Sequence, residues 1–342
     1  MSKEDKKEKK KKAKAEKITF RKCRKVRRED GLRPKCVMGY TFPQFVEAVS
    51  SRWPQKLCYS VYRAGEESDM TYMQLSIYSR AVASYLLSHG YAKGDRVAIF
   101  AESCPNWMVM YLAITYFGGI AVPILPDFTA REASFILEDS GAKGILVNAK
   151  SFQKIKDYRS SHSSLDIFRI EDLLNIHDIP DGYMYITAPG FPMKETRISS
   201  SALSFSAPAE DDVASIIYTS GTTGTSKGVM LTHRNILRCA DLSTDVYVKI
   251  KPGYNALSIL PMSHVYEFTI GQILTMMRGA HITFLGKPPA VSILLPALKD
   301  VRPQIMLTVP LLIEKVYKSA VLPTINGNGK VRKLLKSPLR SY

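Results

Sequence analysis

The sequence predicts an α/β protein built from doubly wound, mostly parallel sheets with flanking helices, and three observations carry that expectation. Short apolar runs suited to buried strands alternate with helical stretches from residue 57 onward, the mark of strand–helix–strand units. Residues 103–126 contain no charge, yet Gly118, Gly119 and Pro123 interrupt them, so they read as a buried helix and strand rather than a membrane span. Finally, the apolar run at 213–217 leads straight into a loop of glycines, hydroxyls and one lysine. That places the loop at a strand's carboxyl end, where open α/β sheets hold their ligands.

In chain order, residues 41–51 are expected as a short helix and 57–63 as a strand, and 70–75 lead into a helix that Gly90 closes. A turn at Gly94 and Asp95 feeds a strand through Phe100, followed by a helix at 106–117 and a buried strand at 120–124. A helix over 130–140, with Gly141 after it, leads to a strand at 144–147. Residues 150–212 are more polar and carry Pro180, Pro189, Pro192 and Pro208, which predicts a peripheral strand or two and a linker. Alternation then resumes with helices at 233–244, 265–277, 291–300 and 311–319 and strands at 256–260, 280–285 and 304–308. The expected organisation is a disordered basic tail (1–35), a first α/β subdomain (36–212), a second subdomain with the loop (213–325), and a linker or cut-off loop (326–342).

The chain has 342 residues, an apolar fraction of 45% and a net charge of +17, so material for a core is ample. The charge is concentrated: residues 1–35 hold seventeen Lys or Arg against six Asp or Glu. The first 17 residues lack aromatic side chains and nearly all apolar ones, too little to order a segment. Such a tail is a neutral solvated extension, a polybasic contact for anionic lipid, or a nucleic-acid contact. No DNA- or RNA-binding motif supports the last reading. No apolar centre marks a secretory signal, and the acidic residues argue against a mitochondrial presequence. Five cysteines without paired spacing point to a reducing, cytoplasmic setting and to no structural metal site.

The loop itself reads Tyr218, Thr219, Ser220, Gly221, Thr222, Thr223, Gly224, Thr225, Ser226, Lys227, Gly228. Glycines let backbone N–H groups approach an anion, six hydroxyls add donors, and Lys227 adds positive charge. Hydrogen bonds to a charged group contribute about 1.5–3 kcal/mol each, so a few hold a polyphosphate. It is not a Walker A loop, because Ser226 stands where that motif needs its second glycine. A mobile linker shares the composition but not this order of residues.

That order resembles the signature of the adenylate-forming superfamily, which includes acyl-CoA synthetases, luciferases and peptide-synthetase adenylation domains. Thr71, Tyr72 and Leu75, then Gly94 through Val97, then Gly118, Gly119 and Pro123 resemble its N-terminal landmarks, so the likeness runs over about 41–318. Leu260 through Phe268 and Val309 through Tyr317 resemble the long-chain fatty acid–CoA ligases in particular. The resemblance implies the first part of the large adenylate-forming domain. It also implies a reaction in which a fatty acid attacks the α-phosphate of ATP to give acyl-AMP, and coenzyme A then displaces AMP. Mg2+ and positive charge screen the phosphates in that chemistry.

By the same resemblance, Thr219 through Gly228 contact ATP, with Lys227 on the phosphates, and His264 stands beside the acyl-adenylate, shaping the pocket. Tyr266 and Glu267 share the segment as substrate-side candidates, although Glu267 reads equally as an exposed helix-start charge. The stripe Phe268, Ile270, Ile273, Leu274 and Met277 lines an acyl channel or simply packs the core. His233 and Arg234 read as the start of a helix rather than as chemistry.

The family's later segments do not occur before Tyr342: the Tyr-Gly-x-Thr-Glu run, the Thr-Gly-Asp run and the small domain with its catalytic lysine. The expectation is therefore an N-terminal portion, inactive alone, whose partner is the missing C-terminal part of the same enzyme. Two alternatives stay open: a nucleotide- or lipid-binding protein without turnover, and a basic protein that contacts nucleic acid. The tail suits a cytoplasmic protein peripheral to an anionic membrane.

Overall fold

The computed structural model describes residues 39–65, 68–173, 207–219, 226–244 and 250–327. The expected disordered tail, Ser220 through Thr225 of the loop, the linker at 174–206 and the segment 328–342 lie outside the described residues.

Helix starts follow a repeated local device. At α1 (Phe42–Arg52), α2 (Tyr72–Ser88), α4 (Ala130–Ser140) and α6 (His233–Ser243) a threonine precedes the helix, and a Gln, Glu or Asn three residues on returns a bond to its backbone. This reciprocal box satisfies two backbone donors that a helix start leaves open. At α2 the Thr71 N–H donates to Gln74 Oε1 at 2.8 Å, and the Gln74 N–H donates to Thr71 Oγ1 at 3.2 Å. Gly141 ends α4 with φ +60°, a left-handed position where glycine has no side chain to strain.

The strands form two sheets. In the first, β6 (Asp166–Arg169), β5 (Gly144–Val147), β3 (Arg96–Phe100), β4 (Ile120–Pro123), β7 (Val213–Thr219) and β8 (Lys227–Thr232) lie side by side in that order. All pairs are parallel except β7–β8. In the second, the order is β2 (Met70–Thr71), β1 (Leu57–Val61), β10 (His281–Phe284), β9 (Asn255–Ser258), with only β1–β2 antiparallel. Each sheet takes strands from both sides of residue 213, so the expected division at that residue does not separate the sheets.

The core lies around α3 (Pro105–Tyr116), whose twelve residues are all buried. The uncharged stretch is thus core, and no helix among the described residues is long and apolar enough to cross a membrane. Trp107 stacks on Tyr111 with ring centroids 5.7 Å apart, and Phe268 lies 4.4 Å from Tyr111. Phe42 packs edge-on to Tyr111 at 5.3 Å. Aromatic pairs of this kind add about 0.5–1.5 kcal/mol beyond the area they bury.

Several elements differ from expectation. A regular helix, α5 (Ala149–Ser161), stands where a strand or linker was expected. Only Ser151 and Ile155 of it are buried, so its sequence shows almost no apolar stripe; Asn148 starts it by accepting from the Ser151 N–H at 2.8 Å. The stretch after the loop is strand β8, which the sequence hides because its first four residues face solvent and do not alternate. The expected strand at 304–308 reduces to a single bridge between Ile305 and Ala256. The helix at 265–277 is wide: Glu267–Leu274 is π-helical and Thr275–Met277 α-helical, together called α7 here. Three further helices follow among the described residues: α8 (Val291–Val301), α9 (Pro310–Val316), which continues as π-helical Tyr317–Val321, and α10 (Leu322–Gly327).

Candidate functional site

The carboxyl ends of the two sheets meet. Ser103 follows β3, and its hydroxyl accepts from the Met262 N–H at 2.8 Å and donates to the Leu260 carbonyl at 3.5 Å. Leu260 through His264 follow β9. Because β3, β4 and β7 are parallel, Thr219 at the end of β7 lies on the same edge.

At that edge, Thr219 ends β7 and pairs in register with Lys227, the first residue of β8. Residues 220–225 thus connect two antiparallel strands, whereas the sequence placed a helix at 233–244 as the next element after the loop. Thr219, Lys227 and Gly228 are exposed, and Ser226 is half-buried. Lys227 makes no ion pair among the described residues, which leaves its ammonium free for an anion. Gly228 has a packing reason: a Cβ there would lie 2.8 Å from Ile216 Cγ2 and 3.2 Å from Tyr218 Cζ. Tyr218, in turn, donates its hydroxyl to Asp139 Oδ2 at 2.5 Å, tying the strand end to α4.

His264 is exposed, at the start of α7. Its N–H donates to the Pro261 carbonyl at 3.0 Å, its carbonyl accepts from the Phe268 N–H at 3.0 Å, and its Nδ1 accepts from the Tyr266 N–H at 3.2 Å. Tyr266 is half-buried. Glu267 is not the exposed helix-start charge that was one reading of it: it is 1% exposed. Its Oε1 accepts from Ser258 Oγ at 2.7 Å and from Gln272 Nε2 at 2.8 Å. Burial pushes its carboxyl up to about 7, while the two hydrogen bonds act the other way. Glu267 Oε2 and Gln272 Oε1 have no hydrogen-bond partner among the described residues.

The structure thus joins Thr219 to Lys227, and His264 to Tyr266 and Glu267, as two groups. No hydrogen bond or ion pair among the described residues links Lys227 to His264. Phe268, Ile273, Leu274 and Met277 are buried, and Phe268 packs on Trp107 and Tyr111, so this stripe is core. His233 starts α6 as expected: it is buried, its Nδ1 accepts from the Phe42 N–H at 3.1 Å, and burial pushes it down to about 4. Arg234 pairs with Glu210 and Asp211.

Sequence reasoning missed Ser103, Ser258 and Gln272. Gln272 stands five residues from Glu267, one turn of a π-helix, a spacing that an α-helical template does not place on one face. Gly271, four residues on, was the available signal. A Cβ there would lie 2.6 Å from Glu267 Cδ, so the carboxyl needs the glycine. Among the described residues no group of three His, Cys, Asp or Glu could hold a metal ion. The Lys227 ammonium and the Thr219 and Ser226 hydroxyls at the ends of the two strands are of the kind that fit a phosphate.

A family model described as AMP-binding enzyme matches residues 46–341, and the chain belongs to that family. It is 27% identical over 304 residues to long chain acyl-CoA synthetase 7, peroxisomal, of Arabidopsis thaliana, covering 87% of this chain and 43% of that protein. It is 28% identical over 256 residues to the long-chain-fatty-acid–CoA ligase of Bacillus subtilis, covering 70% of this chain and 45% of that protein. This chain therefore spans under half the length of these curated relatives. Among solved structures, a Mycobacterium tuberculosis fatty acyl CoA synthetase superposes with a TM-score of 0.66 at 24% identity, over 83% of this chain and 52% of that one. The inhibitor-bound N-terminal domain of FACL13 from the same organism gives 0.66 at 25%, over 83% and 66%.

Proposed function

We propose that this chain is the part of an AMP-forming long-chain fatty acid–CoA ligase that holds the nucleotide phosphates and one wall of the acyl site. The observation that carries the reading is the abutment of two carboxyl edges, one bearing the Thr219–Lys227 hairpin mouth and the other the His264 segment. When bound, ATP would supply an α-phosphorus that the acid oxygen attacks with release of pyrophosphate, and the coenzyme A thiol would then take the acyl group as AMP leaves. Lys227 draws charge from the phosphates, and the Thr219 and Ser226 hydroxyls add donors, which lowers the repulsion between two anions. Mg2+ would screen the phosphate charge alongside Lys227. His264 and Tyr266 shape the place where the carboxylate lies.

Relatives named as long-chain ligases support the substrate class; pyrophosphate exchange tests it. The complete enzyme is expected to exchange pyrophosphate into ATP faster with palmitate than with acetate or 4-coumarate, and a preference for either of the latter would overturn the long-chain assignment. Residues 1–342 alone are expected to bind nucleotide without turnover, because orientation and closure contribute about 7–11 kcal/mol to such reactions. ATP-dependent formation of palmitoyl-CoA by this polypeptide would refute that. The basic tail is proposed to rest on an anionic membrane surface. Deleting residues 1–35 should abolish binding to phosphatidylserine vesicles, and unchanged binding would remove the idea.

A further inference from the structure

We propose that Glu267 is a positioning residue for His264 and Tyr266, clamping the carboxyl end of β9 to α7 through Ser258 and Gln272. Three observations meet here. The carboxyl joins the last residue of β9 to the wide helix at 2.7 and 2.8 Å, and Gln272 Nε2 also reaches Ser258 Oγ at 3.2 Å, which closes a triangle. The chain between the two ends of the clamp, 259–266, is the segment that carries His264 and Tyr266. Gly271 leaves the space the carboxyl occupies, and the π-helical turn brings the Gln272 amide within 2.8 Å of it.

A clamp of this kind fixes where the segment leaves the sheet and where it enters the helix. It leaves His264 only the freedom of its own side chain. Serine and glutamine are neutral partners, and Tyr59 of β1, with Cys58 beside it, is the titratable group facing the carboxyl from the sheet. No cation pairs with Glu267 among the described residues. Ionising it therefore places an unpaired charge inside the clamp, with Oε2 still lacking a donor. Ser258 and Gln272 donate to Oε1 in either charge state, and the neutral amide of glutamine keeps an acceptor there without the buried charge. The consequence for substrate rests on the function proposed above; the clamp does not.

The test reads the imidazole Cε1–H resonance of His264 in residues 1–342, assigned by its loss in His264→Gln, across pH 5 to 9 in three proteins. In the wild type this resonance is expected to carry an inflection near pH 7 that comes from Glu267. Glu267→Gln should remove that inflection and leave the low-pH position unchanged. Glu267→Leu should displace and broaden the resonance at every pH while the protein still melts cooperatively. If the leucine variant does not melt cooperatively, Ser258→Ala, which removes the sheet end of the clamp, is read instead and should displace the resonance in the same way. Superimposable His264 resonances in wild type, Glu267→Gln and whichever clamp variant is read would overturn the proposal. These readouts involve neither ATP nor fatty acid, so a failure of the ligase reading leaves them standing.

Discussion

Replacing Glu267 with glutamine isolates the energetics of one buried carboxyl. In the fold its titration is pushed up to about 7, against an ordinary value of 4.5, chiefly by burial. Between those values the folded state holds a proton that the unfolded chain has released, so stability falls as pH rises through the window. At about 1.4 kcal/mol per unit, the full penalty is about 3 kcal/mol above pH 7, of which about 2.5 kcal/mol develops between pH 5 and 8. Glu267→Gln keeps an acceptor for Ser258 but has no proton to lose. Urea unfolding followed by fluorescence of the buried Trp53 and Trp107 at pH 5, 6, 7 and 8 measures the difference between the two proteins. The variant's stability relative to wild type should rise by about 2.5 kcal/mol over that range. A difference that does not change with pH would mean that Glu267 does not titrate in this window. The difference is the quantity to read, because His233 slopes the raw profile of both proteins in the opposite sense.

For His233 the sign reverses. Burial holds it down to about 4 against an ordinary 6.5, so its contribution is present above pH 6.5 and is lost as pH falls towards 4, by about 3 kcal/mol. His233→Asn, which keeps an acceptor for the Phe42 N–H, should remove that acid loss in the same unfolding assay. Gly271→Ala should destabilise by about 1–3 kcal/mol, since the added carbon overlaps the Glu267 carboxyl. Combining it with Glu267→Ala should recover part of that loss in thermal melts; strict additivity would mean the two do not touch. Ser103→Ala should cost about 1–3 kcal/mol by leaving the Met262 N–H without its acceptor where the sheets meet.

Much of the fold was legible because local signals and burial agree. Thr71 with Gln74 and Thr129 with Glu132 announce their helices, and Gly141 ends one where a left-handed residue is needed. The uncharged run between Pro105 and Pro123 could be divided correctly because its glycines and prolines break a span. The misses share a cause, which is structure set by neighbours and not by the segment itself. Strand β8 exists because β7 offers it an edge, while its own Val229 and Met230 stay exposed. Helix α5 buries Ile155 and Ser151 and little else, too thin a stripe to register as a period. At the site, motif order singled out Lys227 and His264 as candidates. The role of Glu267 was left open because Ser258 and Gln272 reach it through a sheet end and a π-helical turn, neither visible in α-helical spacing.

The β7–β8 hairpin is proposed to hold nucleotide phosphates through Lys227. Calorimetric titration of MgATP into residues 1–342, and into the same chain with Lys227→Ala, tests it directly. Loss of one charge-assisted contact of about 1.5–3 kcal/mol predicts saturable binding by the wild type, weakened about 10- to 150-fold in the variant while both melt alike. Equal affinity in the two proteins, or no binding by the wild type, would contradict it.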